Sequence, residues 1–115
     1  MSEIAVGRKL LTFINVFTVD PRNHEVLLTL LIDATERVIC KLPGFISASF
    51  HRSEDRTRIV NYAQWESREA FDAMFRHPEA VKHMAAMRGL ATSDRNFYDV
   101  VSVREVAPAD RSCRA

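Results

Sequence analysis

Residues 45–65 read FISASFHRSEDRTRIVNYAQW and predict an antiparallel hairpin. β-branched and aromatic residues recur in 45–52 and make up most of 57–65, which favours strands. Between them, residues 53–56 are Ser-Glu-Asp-Arg, a short polar turn. Two such runs joined by a short loop form a hairpin, so we take them as the second and third strands of the domain.

The residues before the hairpin predict a strand followed by a helix. Residues 10–19, LLTFINVFTV, have the composition of a strand, and Asp20-Pro21 ends the run. From residue 23 to 41 the apolar residues recur at offsets that share one helical face, and they are Val26, Leu27, Leu30, Leu31, Ala34 and Val38. Pro43-Gly44 ends this helix, because glycine adopts the left-handed conformation that closes helices.

After the hairpin the sequence predicts a second helical region and a last strand. Ser67 is a candidate helix cap, and apolar residues at helical spacing follow it to Gly89 with an interruption at Pro78. Residues 96–106 predict the fourth strand. The order β-α-β-β-α-β is the ferredoxin-like α+β arrangement, an antiparallel four-stranded sheet with both helices on one face.

Length and composition predict one globular domain at residues 10–106, with a loose arm at 1–9 and a mobile tail at 107–115. Of the 115 residues, 47% are hydrophobic and 27% charged, which is too apolar for a disordered protein. The net charge of +1 argues against nucleic acid or a membrane surface as a partner, and no apolar run could span a bilayer. Two cysteines make no disulfide framework, and no signal peptide is visible, so the expected location is cytoplasmic.

Strand one is apolar on both of its faces, which predicts a second cover for the sheet. Leu10, Ile14 and Val16 point one way, and Leu11, Phe13, Asn15, Phe17 and Val19 point the other way. Since the helices cover one face, a second copy of the chain is the simplest cover for the other. Two sheets packed in this way form a dimeric α+β barrel with a pocket in each half. The alternative is a monomer with an exposed apolar groove.

Polar side chains within the apolar strands are the candidate functional residues. Asn15, Asn61 and Trp65 share one strand face, which we place inside the barrel, on the side away from the helices. A buried amide without partners costs about 1–3 kcal/mol, so such residues either bond to the backbone or face a ligand. Asn61 and Trp65 are about 13 Å apart along a strand, which suits a large planar ligand. The alternative is that each Asn marks a bulge or a sheet edge.

No motif for a metal or a cofactor is visible, and we expect neither. The Cys and His residues have no zinc-ligand spacing, and three glycines leave no phosphate-binding loop. His24, at a helix start, is expected to be solvated, and Cys40, near a helix end, to be a buried structural thiol. His83 could serve as a lone haem ligand. The expected core includes the methionines at helical spacing, Met74, Met84 and Met87.

Three stretches resemble the antibiotic biosynthesis monooxygenase family: FINVFTV (13–19), LPGFISASFHRSEDRTRIVNYAQW (42–65) and ESREAF (66–71). The resemblance covers residues 10–106 and implies a dimeric α+β barrel. The best-understood members are anthrone oxygenases of aromatic polyketide pathways, which use O₂ without flavin, haem or metal to form a quinone. The resemblance therefore implies a cofactor-independent monooxygenase whose partners are an aromatic small-molecule substrate and O₂.

The resemblance also implies which residues act. Asn15 matches a functional Asn on strand one, and Asn61 and Trp65 match the Asn and Trp of the NYAQW stretch. The two amides would stabilise a developing oxyanion, and the indole N–H a peroxy intermediate. Some members have a Tyr where this chain has Phe71, so the hydroxyl of a proton relay is absent at this position. The residues expected to line the substrate pocket are Phe13, Phe17, Phe71, Met74 and His83.

Two other functions stay open on the sequence. Haem-degrading relatives resemble the chain in Asn15 and in a His near His83, but they carry a Trp where this chain has Met74. The other alternative is a non-catalytic ligand-binding or dimerisation module, although no helix-turn-helix segment accompanies it. Visible absorption of the purified protein distinguishes the haem alternative from a cofactor-free enzyme. A lack of turnover with any anthrone or hydroquinone would favour the binding module.

Overall fold

The computed structural model describes residues 10–107. Its helices and strands are, in chain order, β1 (Leu11–Val19), α1 (His24–Arg37), β2 (Phe45–Arg52), β3 (Arg58–Trp65), α2 (Arg68–Met74), α3 (Pro78–Ala86) and β4 (Ala91–Tyr98). Short 3-10 turns at Pro21–Asn23 and Ile39–Lys41 flank α1. The arm at 1–9, and the tail from residue 108 onward with Cys113, lie outside the described residues. Within the described range, no helix is long and apolar enough to cross a membrane.

The four strands of the described chain form one antiparallel sheet in the order β2-β3-β1-β4. β1 and β3 are the inner strands, and β2 and β4 are the edges. The predicted ferredoxin-like α+β arrangement is confirmed, and the hairpin is close to the prediction, since β2 spans Phe45–Arg52 and β3 spans Arg58–Trp65. The register places Asn15 directly opposite Asn61 on one side and opposite Arg95 on the other.

The second helical region consists of two helices with separate caps. The Ser67 Oγ accepts a hydrogen bond from the Ala70 N–H at 3.1 Å and so caps α2, as predicted. At α3, the His77 Nδ1 accepts from the Ala80 N–H at 3.4 Å, and Pro78 occupies the first turn. Proline favours this position because its missing N–H is not needed there. Pro78 therefore starts a new helix instead of interrupting one.

The prediction of the last strand was wrong in position. The sequence pattern placed it at 96–106, whereas β4 spans Ala91–Tyr98. Residues 92–96 are exposed and polar, and they pair with β1 as an edge strand through backbone hydrogen bonds. Such pairing needs no apolar side chains, so the composition of residues 91–95 did not indicate a strand. The prediction was placed too far along the chain because residues 100–106 are rich in valine, which favours strands.

The predicted orientation of the sheet was also wrong. Phe13, Asn15, Asn61 and Trp65 do share one face, but that face is the one that the helices cover. Phe13 and Trp65 belong to a buried cluster with Phe71 and Met74 of α2, and Val19 and Ile59 pack with Leu27 and Leu31 of α1. Aromatic side chains bury the largest apolar area, so the helices pack on the face that holds them. On the opposite face Ile14, Val16, Val60 and Tyr62 are half-buried, and Thr12 and Gln64 are buried.

Two side chains have the reverse of their expected burial. His24 is only 1% exposed, because it shares the buried face of α1 with Leu27 and Leu31, three and seven residues further on. Substitution of His24 is therefore not expected to be silent. Cys40 lies in the turn beyond α1 and is exposed, and its Sγ donates to the Glu36 carbonyl at 3.3 Å.

Gly44 allows the chain to enter β2 close to α2, and its substitution tests this contact. Gly44 and Gly89 have almost the same conformation, with φ of +84° and +85°. A Cβ on Gly44 would collide with the Ala70 Cβ, whereas one on Gly89 would meet nothing within 4 Å. We expect Gly44→Ala to lower the free energy of unfolding by about 1–3 kcal/mol more than Gly89→Ala does. Urea denaturation measures both values, and equal losses would contradict the close packing.

Candidate functional site

A cavity of about 370 Å³ lies between the helix-covered face of the sheet and the helices. Side chains of β1 and β3 form its floor, and α1, α2 and α3 supply its roof through Leu27, Leu31, Phe71, Met74 and Met84. Ligand pockets in proteins span about 300–1,000 Å³, so this volume suits a small molecule. Residues of both buried clusters line the cavity.

A row of polar side chains crosses the middle of the floor. Asn61 of β3, Asn15 of β1 and Arg95 of β4 stand side by side on neighbouring strands, and all three line the cavity. On one side of this row lie Phe13 and Ala63, with Trp65 beyond them. The floor is therefore apolar and aromatic at one end and carries amide groups at its centre.

The two asparagines have no bonding partner for their side-chain oxygens. Asn15 is 7% exposed, and the Oδ1 atoms of Asn15 and Asn61 are buried without a hydrogen-bond partner in the described structure. Both residues lie on inner strands, and the irregularity in the sheet is between Phe45 and Ser47. A sheet edge or a bulge thus does not explain them, and their side-chain oxygens make no bond to the backbone. A buried acceptor without a partner costs about 1–3 kcal/mol, and of the residues with such atoms only Asn15 and Asn61 line the cavity, where a ligand could donate to them.

Trp65 forms the aromatic end of the cavity and is held in place by neighbouring rings. It is 2% exposed, and its ring contacts Phe45 and Phe71 edge to face, with centroids 5.4 Å and 5.9 Å away. Phe71 in turn packs against Phe13 at 4.8 Å. These rings give the cavity rigid apolar walls of the kind that a planar aromatic molecule fits.

The structure brings together all but one of the residues predicted for the site. The predicted residues that line the cavity are Phe13, Asn15, Phe17, Asn61, Trp65, Phe71 and Met74. His83 does not line it and is half-buried on α3. His51 is exposed on the outer face of β2, where its Nε2 lies 3.1 Å from the Ser49 Oγ. The roles of the lining residues stay predictions.

Sequence reasoning missed the polar residues that come from β4 and the turn before it. Arg88, Ser93 and Arg95 line the cavity together with Ala91. Ala91, Ser93 and Arg95 alternate along β4, so a strand placed at 91–98 would have put them on one face. The prediction began the strand at residue 96 and therefore left them in a loop.

The residues that line the cavity include no acid, histidine or cysteine. No group of three or more His, Cys, Asp or Glu residues within the described chain could hold a metal ion. In the turn between β2 and β3, by contrast, hydrogen bonds from the Thr57 hydroxyl, the Thr57 N–H and the Ser53 hydroxyl lower the pKa of Asp55 to about 2. Asp55 thus stabilises the hairpin turn and does not line the cavity.

The comparison with protein families decides the identity of this fold. A model of the antibiotic biosynthesis monooxygenase family matches residues 10–86, more than half of the chain. The chain belongs to this family. It shares 38% identity with the tetracenomycin-F1 monooxygenase of Streptomyces glaucescens over 100 residues, which cover 87% of this chain and 89% of the relative. With the deoxynogalonate monooxygenase of Streptomyces nogalater it shares 30% over 90 residues, or 76% and 73% of the two chains. This family member is a monooxygenase.

Solved structures of the family agree with the fold. A monooxygenase from ActVA-Orf6 of Streptomyces coelicolor, solved in complex with nanaomycin D, has a TM-score of 0.74 and 29% identity over 84% of this chain and 92% of its own. SnoaB from Streptomyces nogalater, a cofactor-independent oxygenase, has a TM-score of 0.64 and 28% identity over 88% of this chain and 99% of its own.

Ligand entry into the cavity can be measured through Trp65, the one tryptophan of the chain. A planar aromatic quinone should quench its fluorescence, because the indole would then contact the ligand. Ala48 lines the floor opposite Ala63, so Ala48→Leu should fill the cavity and weaken binding roughly tenfold. Ala73→Leu, on the exposed side of α2, is the matched control. Equal affinities in the two variants would show that the quinone binds elsewhere.

Proposed function

We propose that this chain is a cofactor-independent monooxygenase that oxidises an anthrone-type or phenol-type polyketide intermediate to a quinone with O₂. The observation that carries the proposal is the pair of unpartnered amide oxygens, those of Asn15 and Asn61, at the centre of an aromatic cavity that no Asp, Glu, His or Cys lines. The relatives described above, two monooxygenases and a cofactor-independent oxygenase, support it.

Such a substrate is acidic enough to react without the strong base that the cavity lacks. Loss of a proton from the anthrone methylene gives a delocalised, electron-rich anion, which passes one electron to O₂. Recombination of the carbon radical with superoxide forms a C–O bond and, after protonation, a hydroperoxide. Loss of water then breaks the O–O bond and leaves a carbonyl, so one oxygen atom enters the quinone and the other leaves as water. Because the substrate's own acidity helps to form the anion, a strong base in the cavity is not required.

The cavity residues would act on the charges that develop along this path. An amide side chain has an acceptor and a donor, so the Oδ1 atoms of Asn15 and Asn61 can accept hydrogen bonds from a substrate hydroxyl while their NH₂ groups donate to an oxyanion on the ring. Donors fixed in a desolvated site stabilise such a charge far more than water does. Trp65 would pack against the rings and offer its indole N–H to the peroxy intermediate.

Neither a haem nor a metal mechanism is favoured by the residue placement. His83, the candidate haem ligand, does not line the cavity, and Met74 lines it where haem-degrading relatives have a Trp. The cofactor-free mechanism predicted from the sequence is therefore the one that we carry forward. The cytoplasmic location stays a prediction.

A homodimer is the expected assembly, but the sheet face that the second copy would cover is the opposite of the one that the sequence suggested. The sheet face away from the helices presents Ile14, Val16, Val60 and Tyr62, which are half-buried in one chain. A second copy of the chain packed on this face would cover these side chains and complete the α+β barrel. The cavity would then lie within each protomer, on the helix side of its own sheet.

Trp65→Phe and Asn61→Ala test the catalytic assignment. Phenylalanine keeps most of the stacking area and removes the indole N–H, so turnover of an anthrone should fall roughly 10–1,000-fold with little change in binding. Asn61→Ala should behave similarly, since it also removes a donor to the transition state. Steady-state rates under O₂, with quinone affinity from equilibrium binding, measure both effects.

Asn23→Ala is the matched control, because Asn23 makes no side-chain capping bond at the start of α1. It should leave turnover at the wild-type value. Wild-type turnover by folded Trp65→Phe would make Trp65 an ordinary core residue. Activity that is lost on chelation and restored by one metal ion would refute the cofactor-free mechanism.

Sedimentation tests the dimer. Analytical ultracentrifugation at micromolar concentration should give about twice the chain mass of 13.1 kDa. Val60→Lys, which puts a charge on the outer face of β3, should shift the equilibrium toward the monomer. Val26→Lys, at an exposed site on α1, is the control and should leave the mass unchanged. A wild-type monomer would refute the barrel assembly.

A further inference from the structure

One polar side chain in the roof of the cavity has no part in the proposed chemistry. The residues of α1 and of the turn after it that line the cavity are Leu27, Leu31, Ala34, Thr35 and Ile39. Thr35 is the one member of this set with a polar side chain, and it is half-buried. A valine has nearly the same shape without a polar atom, so the packing of this apolar wall does not by itself require a hydroxyl.

The two ends of this part of the roof lie over different parts of the cavity floor. Leu31 belongs to the buried cluster that contains Ile59, whereas Ile39 packs against the cluster that contains Ala63. Ile59 and Ala63 lie on β3, an even number of residues apart and so on the same face of the sheet. The chain from Leu31 to Ile39 therefore runs from the Ile59 end of the floor toward the Ala63 end.

Thr35 lies over the middle of the floor, where the asparagines are. From Leu31, one further turn of α1 advances by about 6 Å and reaches Thr35. From Ile59, two further residues of β3 advance by about 7 Å and reach Asn61. Helix and strand thus advance by nearly the same distance, which brings Thr35 to the roof above the row that contains Asn61 and Asn15.

The hydroxyl of Thr35 can accept a hydrogen bond, but its hydrogen is already used. The Oγ1 atom donates to the Leu31 carbonyl at 3.0 Å, one turn back along α1. A hydroxyl oxygen keeps its acceptor sites when its hydrogen is bonded in this way, and no donor bonds to this oxygen within the described structure. Thr35 therefore presents a fixed acceptor to a ligand in the cavity.

We propose that Thr35 is a specificity residue, which accepts a hydrogen bond from a phenolic hydroxyl on the edge of the substrate that faces away from Asn15 and Asn61. A fixed acceptor favours a ligand group that can donate. A carbonyl or an ether at the same place would turn its lone pairs toward those of the Thr35 oxygen and leave both groups without a partner. This inference rests on the proposed function, because it takes the cavity to be the substrate site.

The roof and the floor would then hold the substrate by two opposite edges. A polycyclic aromatic molecule could enter an apolar cavity in several directions with similar burial. Only those directions that place a hydroxyl at Thr35 would make the bond to the roof, and they fix which ring edge lies at the asparagines. Because the bond to Leu31 already orients the Thr35 hydroxyl, little side-chain freedom is lost when the ligand binds.

Binding of matched quinones to the whole protein tests the inference without turnover. The probes are 1-hydroxyanthraquinone and 2-hydroxyanthraquinone, each compared with its own methyl ether, at a pH where the hydroxyl is protonated. Quenching of Trp65 fluorescence gives each affinity. For one of the two isomers, Thr35→Val should lower the ratio of hydroxyl to ether affinity roughly 3- to 10-fold, the value of about one hydrogen bond. The affinity for the ether should change little, because valine and threonine have similar shapes.

Thr35→Ser keeps the hydroxyl and should keep the wild-type ratio, whereas Thr35→Ala should lower the ratio as Thr35→Val does. The matched control is Thr29→Val, because Thr29 is exposed on α1 and does not line the cavity. It should leave the ratio unchanged.

Two results would refute the inference. One is a wild-type ratio for both isomers in folded Thr35→Val or Thr35→Ala. The other is an equal loss in Thr35→Ser and Thr35→Val, because the methyl group and not the hydroxyl would then be responsible. Wild-type turnover of an anthrone together with an unchanged ratio would refute this inference alone and leave the proposed function intact.

Discussion

The pairing of β1 with β3 is the constraint on which the rest of the structure depends. It places Asn15 opposite Asn61 and brings Phe13, Ala63 and Trp65 to the same face. Side chains alternate between the two faces of a strand, so a slip of one residue would turn this whole set away from the helices. The buried aromatic face opposes such a slip, because it would expose Trp65 and Phe13 to solvent. The hydrophobic effect thus fixes the two amides in the cavity.

Local patterns in the sequence were sufficient for most of the fold. Residues 45–65 combine strand composition with a polar turn, and Ser67 has the chemistry of a cap, so both could be read directly. β4 could not be predicted in this way, because an edge strand is held by backbone hydrogen bonds that do not depend on its amino-acid composition. The burial of His24 was missed for a different reason. Histidine is polar, so the residue type suggested exposure, whereas the side chain lies on the buried face of α1.

The sequence predicted which residues form the candidate site, but not on which side of the sheet the site lies. Period-two alternation put Asn15, Asn61 and Trp65 on one face, yet alternation cannot say which face the helices will cover. That choice depends on how much apolar area each face buries against α1 and α2, a property of the packed molecule. Arg95 was missed for the same reason as β4, since its position beside Asn15 exists only once the edge strand is paired, and Arg88 lies in the turn before that strand.

The unpartnered oxygens of Asn15 and Asn61 also affect how long the protein survives. An empty cavity leaves their desolvation cost uncompensated, and a ligand that bonds to them stabilises the folded state in proportion to the logarithm of its concentration. The folded fraction then rises with the supply of ligand. In a producing cell, the enzyme would be most resistant to unfolding and proteolysis while its pathway is running, and it would be degraded faster once the pathway stops.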